Sequence, residues 1–174
     1  MGRKWGAFVA VGLVAVLFGC SGGEEPQADP GSALVRPEPT EPGPFIEECG
    51  SLTDQEVAEA FGMPPFTTVT RNSVGCVWEV GGVAGPSVTY SWYRGSPIGR
   101  ERAGSELIGR PAADIEIGGH TGFIASASDY LCEIGIAFGG DFVHWSIMYG
   151  DSRPAHDPCQ VGRALAEKTV ERVQ

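Results

Sequence analysis

Tyr130-Leu131-Cys132-Glu133-Ile134-Gly135-Ile136-Ala137-Phe138-Gly139-Gly140-Asp141-Phe142-Val143-His144-Trp145-Ser146-Ile147-Met148-Tyr149 is the stretch whose reading decides the fold. Tyr130, Cys132, Ile134, Ile136 and Phe138 fall on every second position. Alternate residues of a strand point to the same side, so this is a strand with one apolar face. After the Gly139-Gly140-Asp141 turn, Val143, Trp145, Ile147 and Tyr149 repeat the pattern. Two such strands joined by a tight turn form an antiparallel pair with one face toward a core.

Working outward, four further strands are expected. Val74, Cys76, Trp78 and Val80 share one face; so do Val88, Tyr90 and Trp92 within Ser87 to Tyr93. Ile115 and Ile117 alternate with Asp114 and Glu116, and a short strand fits 122–126. Three helices complete the pattern. Thr53 followed by Glu56 is a capping box opening the first, and Gly62 before Pro64-Pro65 ends it. Ser96-Pro97 opens a second helix over roughly 97–108. A third spans roughly 158–172, with Val161, Ala164, Leu165 and Val173 on one side and Asp157 as its cap. The expected fold is α+β: a single antiparallel sheet of about five to six strands with helices packed on one face.

The N-terminus reads as an address. Arg3 and Lys4 precede an apolar run from Trp5 to Phe18, shorter than the roughly 20 residues a spanning helix needs. The run ends in Leu17-Phe18-Gly19-Cys20, which resembles a bacterial lipobox. That resemblance implies a signal peptide over 1–19, cleavage before Cys20, and a diacylglyceryl group on the Cys20 sulfur. Two acyl chains suffice for stable membrane attachment. The expected location is therefore the extracytoplasmic face of the cell membrane, lipid-anchored.

Residues 20–48 form the anchor cysteine and a tether. Six prolines and seven acidic residues stand in 21–48 against one arginine. Such a composition cannot bury enough apolar surface to offset its ordering entropy. Residues 49–174 are expected to be one domain, with 15 acidic and 9 basic residues. The whole chain carries a formal charge of −10. Acidic chains repel phosphate backbones, so no nucleic acid is expected as a partner.

Beyond Cys20, four cysteines remain: Cys49, Cys76, Cys132 and Cys159. An even number in an exported domain reads as two disulfides, with three connectivities open. Cys76 and Cys132 lie on apolar strand faces, while Cys49 and Cys159 stand at the starts of the first and last helices. Pairing helix start to strand favours Cys49–Cys76 and Cys132–Cys159. No CxxC or HxxxH spacing supports a metal site, and no cofactor is expected.

Catalytic constellations are equally thin. No Gly-x-Ser-x-Gly occurs. Glu79, Asp114, Glu116 and Glu133 take the polar phase of their strands, where a solvated face accounts for them. His120 follows a glycine turn, and His144 opposes the apolar stripe of its strand as a partly exposed residue. No catalytic residue is assigned and no enzyme is expected. Trp78, Trp92 and Trp145 all take apolar strand phases. They fill a core or line an apolar cleft between sheet and helices.

These residues together are similar to a family of actinobacterial lipoproteins known only as a domain of unknown function, number 3558 in its series (DUF3558). The resemblance rests on the lipobox and tether, on Cys49-Gly-Ser-Leu-Thr-Asp-Gln-Glu-Val-Ala-Glu-Ala-Phe-Gly62, and on Gly75-Cys76-Val77-Trp78. Leu131-Cys132, Asp157-Pro158-Cys159 and Ala164-Leu165-Ala166 complete it. Glu47-Glu48 stands where the family usually has Asp-Pro before the first cysteine. The resemblance implies an exported, disulfide-bonded α+β domain and supplies no active-site residues. The expected role is a non-enzymatic interaction or sensor module at the cell envelope, recruiting an envelope protein. The alternative is a carrier or chaperone for a lipid or small apolar ligand.

Overall fold

The computed structural model describes residues 41–82 and 84–173. Signal segment, Cys20 and the tether as far as residue 40 lie outside the described residues. The elements run α1 (Asp54–Phe61), β1 (Thr68–Asn72), β2 (Gly75–Glu79), β3 (Ser87–Tyr93), α2 (Ile98–Leu107), β4 (Ala112–Ile117), β5 (His120–Ala127), β6 (Leu131–Phe138), β7 (Asp141–Met148) and α3 (Pro158–Val173). A short 3-10 turn, Glu48–Ser51, precedes α1.

All seven strands join one sheet in the order β1-β2-β3-β7-β6-β5-β4. Every neighbouring pair is antiparallel. The fold class is the α+β sheet that the alternating patterns imply, with one more strand than expected. The added strand is β1. Its side chains are exposed apart from the half-buried Val69, so no apolar alternation marks it. As an edge strand it is held by backbone pairing to β2, which leaves no trace in residue type.

One face of the sheet, the core face, carries Cys76, Trp78, Val88, Tyr90, Cys132, Ile134, Val143, Trp145 and Ile147, all buried. Helices α1 and α3 cover it through Val57, Phe61, Val161, Leu165 and Val170. Helix α1 starts with the capping box, in which Thr53 Oγ1 accepts from the Glu56 backbone N–H while the Glu56 carboxylate accepts from the Thr53 N–H. Asp157 caps α3, its carboxylate accepting from Gln160 N–H at 2.8 Å. Tyr149 Oη ties the end of α1 to the sheet by donating to the Phe61 carbonyl at 2.9 Å.

Helix α2 lies on the opposite side, which corrects the expectation that all helices share one face. Ser105 of α2 bonds Glu133, and Glu133 sits between Cys132 and Ile134, which both face the core. Alternation therefore turns Glu133, and α2 with it, to the other face. Connectivity supplies the reason. β3 and β4 lie four strand positions apart, about 19 Å at the usual strand spacing. The connecting chain must cross over β7, β6 and β5, and the core face is already filled by α3. Helix α2 makes that crossing, supported by Gly135. A Cβ there would stand 2.4 Å from Phe123 Cε1, so Phe123 lies flat across the strand where a side chain would be.

Candidate functional site

Residues 41–48, read with the tether from composition, are part of the packed fold. Ile46 is buried in the core, and Gly140 N–H donates to the Glu41 carbonyl at 2.7 Å. The following turn is left-handed at three successive residues: Cys49 (φ 57°), Gly50 (φ 68°) and Ser51 (φ 64°). Non-glycine residues rarely adopt this backbone. Gly50 is required for space as well, because a Cβ there would lie 2.8 Å from Tyr90 Cε2. The Cys49–Cys76 disulfide, with Cα atoms 5.4 Å apart, fastens the turn to β2.

Between this turn, the β1–β2 turn and β3 lies a pocket of about 210 Å3. Phe45, Ile46, Cys49, Val74, Tyr90 and Trp92 form its apolar wall. Glu47, Glu48 and Asn72, all exposed, add polar lining. Phe45 is largely exposed and meets the Trp92 ring edge-on at 5.8 Å. The Arg94 guanidinium stands 4.8 Å from the Trp92 centroid and pairs with the buried Asp141 carboxylate at 3.8 Å.

The three tryptophans of the domain differ. Trp78 and Trp145 are wholly buried and stack on each other, 6.0 Å between centroids. Trp78 Nε1 donates to Asp54 Oδ1 at 2.7 Å and Trp145 Nε1 donates to Thr169 Oγ1 at 3.3 Å. Burial pushes the Asp54 carboxyl up, but the Trp78 and Arg71 hydrogen bonds outweigh it and hold the group below its ordinary value. Trp92 lines the pocket, and its Nε1–H, like the neighbouring Tyr90 Oη, is buried without a protein partner. Two of the three aromatic candidates are thus interior packing, and the third faces a cavity.

A second cluster lies beneath α2. Glu133 accepts from Ser105 Oγ at 2.9 Å and pairs with Arg110. Beside it His144 is buried among Tyr93, Phe123 and Glu133, and its Nε2 has no protein partner. Burial lowers the His144 pKa; Glu133 and Glu101 raise it, and Arg110 lowers it further. The net direction is down. Both residues depart from the solvated face expected of them. The crossing helix covers these strand positions, and strand phase alone does not show which polar positions will be covered.

The chain matches the family described as "Protein of unknown function (DUF3558)" over residues 15–172. It belongs to that family. Among relatives of this DUF3558 protein is "Putative lipoprotein LprB" of Mycobacterium tuberculosis (strain ATCC 25618 / H37Rv), 40% identical over 168 residues, which span 92% of this chain and 90% of the relative. The protein of the same name from Mycobacterium bovis has the same identity and coverage. That of Mycobacterium leprae (strain TN) is 42% identical over 134 residues, covering 74% of this chain and 71% of the relative. No solved structure matches the DUF3558 chain.

The second disulfide, Cys132–Cys159, joins the start of α3 to β6 with Cα atoms 5.1 Å apart. His120 begins β5, its Nδ1 3.0 Å from the Ala137 carbonyl oxygen, and packs on Phe138. Among the described residues no group of three or more His, Cys, Asp or Glu side chains gathers as metal ligands. Also among the described residues, no helix is long and apolar enough to cross a membrane. Of the three tryptophans read as candidates for an apolar cleft, Trp92 alone lines this pocket, which lies beside the first disulfide. Tyr90 and Trp92 in its wall are residues that the strand pattern assigns to the core, and its far wall, Phe45 to Glu48, comes from a segment that composition assigns to the tether.

Proposed function

We propose that this DUF3558 protein is held at the extracytoplasmic face of the membrane by a diacylglyceryl group on Cys20, and that its domain works there as a non-enzymatic interaction module for a protein of the cell envelope. The relatives' name, lipoprotein, supports the anchor. The observation that carries the second half is the filled layer between the sheet and helices α1 and α3. Trp78, Trp145, Phe61, Tyr149 and Leu165 occupy it with zero exposure. A carrier that encloses a lipid needs a cavity of some hundreds of Å3 in such a layer. A filled layer leaves the surface as the place to bind.

Two measurements test this. The full chain and its Cys20→Ala variant are fractionated after export. The parent should partition with membranes and carry the mass of two acyl chains on its N-terminal peptide; the variant should carry neither acyl chain. An unacylated parent overturns the anchor. Native mass spectrometry of the detergent-extracted parent should show the acylated, two-disulfide chain without a stoichiometric bound lipid. A bound lipid that leaves only on denaturation overturns the interaction module in favour of the carrier.

A further inference from the structure

The recess beside the first disulfide gathers apolar surface that the fold leaves in water. Phe45 is 78% exposed and Val74 is 57% exposed. The two lie far apart in the chain, yet both line this one recess. Single apolar residues scattered over a surface are ordinary, whereas apolar residues gathered around one concavity mark a place of contact.

The gathering is held in place from several sides. Ile46, between the exposed Phe45 and Glu47, is buried in the core and pins this segment. The left-handed turn and the Cys49–Cys76 bond fix the segment's far end. Across the recess, Val74 N–H donates to Asn72 Oδ1 at 3.0 Å and shapes the β1–β2 turn. Walls fixed in this way carry little ordering cost on binding.

Charge selects the partner. Glu47 and Glu48 are exposed on the same recess, and no lysine or arginine lines it. Glu47 has no ion pair among the described residues. The Glu48 carboxylate stands 3.8 Å from Arg71, whose hydrogen bond goes to Asp54 instead. Apolar walls with an acidic rim repel an anionic lipid surface. They match a segment that offers an apolar side chain between cationic ones.

We infer that this recess docks a cationic segment of a protein partner: one aliphatic or aromatic side chain packs against Phe45 and Val74, and flanking Lys or Arg side chains meet Glu47 and Glu48. The site deepens the interaction module proposed above and rests on it.

The test uses the full chain in phosphatidylcholine nanodiscs and the fluorescence anisotropy of a labelled peptide with one leucine between two pairs of lysines. Two counterparts replace its lysines by glutamates or its leucine by serine. The parent peptide should bind saturably, the glutamate counterpart at least tenfold more weakly and the serine counterpart at least fivefold more weakly. Phe45→Ser, Val74→Ser and the double substitution Glu47→Gln, Glu48→Gln should each weaken binding at least fivefold while keeping the urea midpoint of the unsubstituted chain. The charge variant should also lose most of the salt dependence of binding. Leu107→Ser, at an exposed apolar position on α2, should leave binding unchanged. Equal binding of the leucine and serine peptides, or unchanged binding by both Phe45→Ser and Val74→Ser, overturns the site. A benzophenone-bearing phenylalanine in place of Phe45 that captures nanodisc lipid in preference to the peptide assigns the recess to the bilayer and overturns the docking of a protein segment. The interaction module fails separately, on a bound lipid in the native mass spectrum; a bare, two-disulfide chain that binds none of the peptides overturns this site alone.

Discussion

The two faces of the sheet are built on different principles. The core face is apolar and cross-linked: Trp78, Trp145, Ile134 and Ile147 lie wholly buried beneath α1 and α3, and both disulfides are rooted in its strands. The opposite face is covered by α2, whose one buried residue is Ser105, and whose Leu107 is 87% exposed. Much of what holds α2 down is polar: Ser105 and Arg110 on Glu133, and Arg102 on Asp114 and the Ala112 carbonyl. Burial of apolar area is insensitive to pH and tolerant of small shifts. A buried polar latch depends on every partner being present and correctly protonated. The core face should thus set global stability, and the α2 face should set how stability responds to single polar substitutions and to the protonation of His144.

The sharpest way to break this contrast is Trp145→Ala. It empties the centre of the core face and removes the partner of Thr169, and should cost about 3–5 kcal/mol in a urea melt. Opening one cross-link by the double substitution Cys132→Ala, Cys159→Ala should cost about 3 kcal/mol, read the same way. On the α2 face, Glu133→Ala should cost about 2 kcal/mol, because Arg110 and Ser105 lose their acceptor in a largely buried setting. Replacing both charges, Glu133→Met with Arg110→Met, should recover most of that loss. If the single substitution proves silent, the latch description of α2 fails.

Two pH predictions sharpen the comparison at smaller amplitude. His144 is surrounded by Glu133 from β6, by Glu101 and Arg110 from the α2 region, and by Tyr93 from β3, and its folded pKa lies below the ordinary 6.5. The unfolded chain therefore takes up the proton first. Stability should be full above about pH 6.5 and decline as the pH falls from there through the folded value. His144→Phe should remove that decline in melts recorded across pH 7 to 5. On the α1–α3 seam, the Arg172 hydrogen bond and the Thr53 contacts hold the Glu56 carboxyl at about 2, against 4.5 normally. Its contribution is present above pH 4.5 and lost as the pH falls toward 2, so Glu56→Gln should flatten stability only in that acid window.

Legibility followed the source of each constraint. Strands β6 and β7 could be read because one face of each is a continuous apolar stripe, Cys132 to Phe138 and Val143 to Ile147. The first helix could be read because Thr53 and Glu56 satisfy each other's end groups within one turn. β1 could not, since an exposed edge strand is held by backbone bonds available to any residue type. Polar residues at alternate positions were legible as one face, but not as a covered one. Glu133 and His144 are buried because a chain segment some thirty to forty residues upstream of them crosses over.

The pocket is the extreme case. Tyr90 and Trp92 have the same strand phase as the wholly buried Val88. What separates them is the approach of Phe45–Cys49, which depends on a disulfide to a distant strand.

By itself the sequence determined the local grammar: which stretches extend, which coil, where helices start, and that four cysteines can form two cross-links. Those outcomes follow from residue periodicity and from end groups satisfied within a few positions of each other. Tertiary structure alone decided which face α2 covers, which carboxylate and imidazole are removed from water, and which tryptophan lines a pocket. Each of these depends on segments far apart in the chain being brought within a few ångströms, and burial and hydrogen-bond satisfaction are properties of that encounter rather than of either segment.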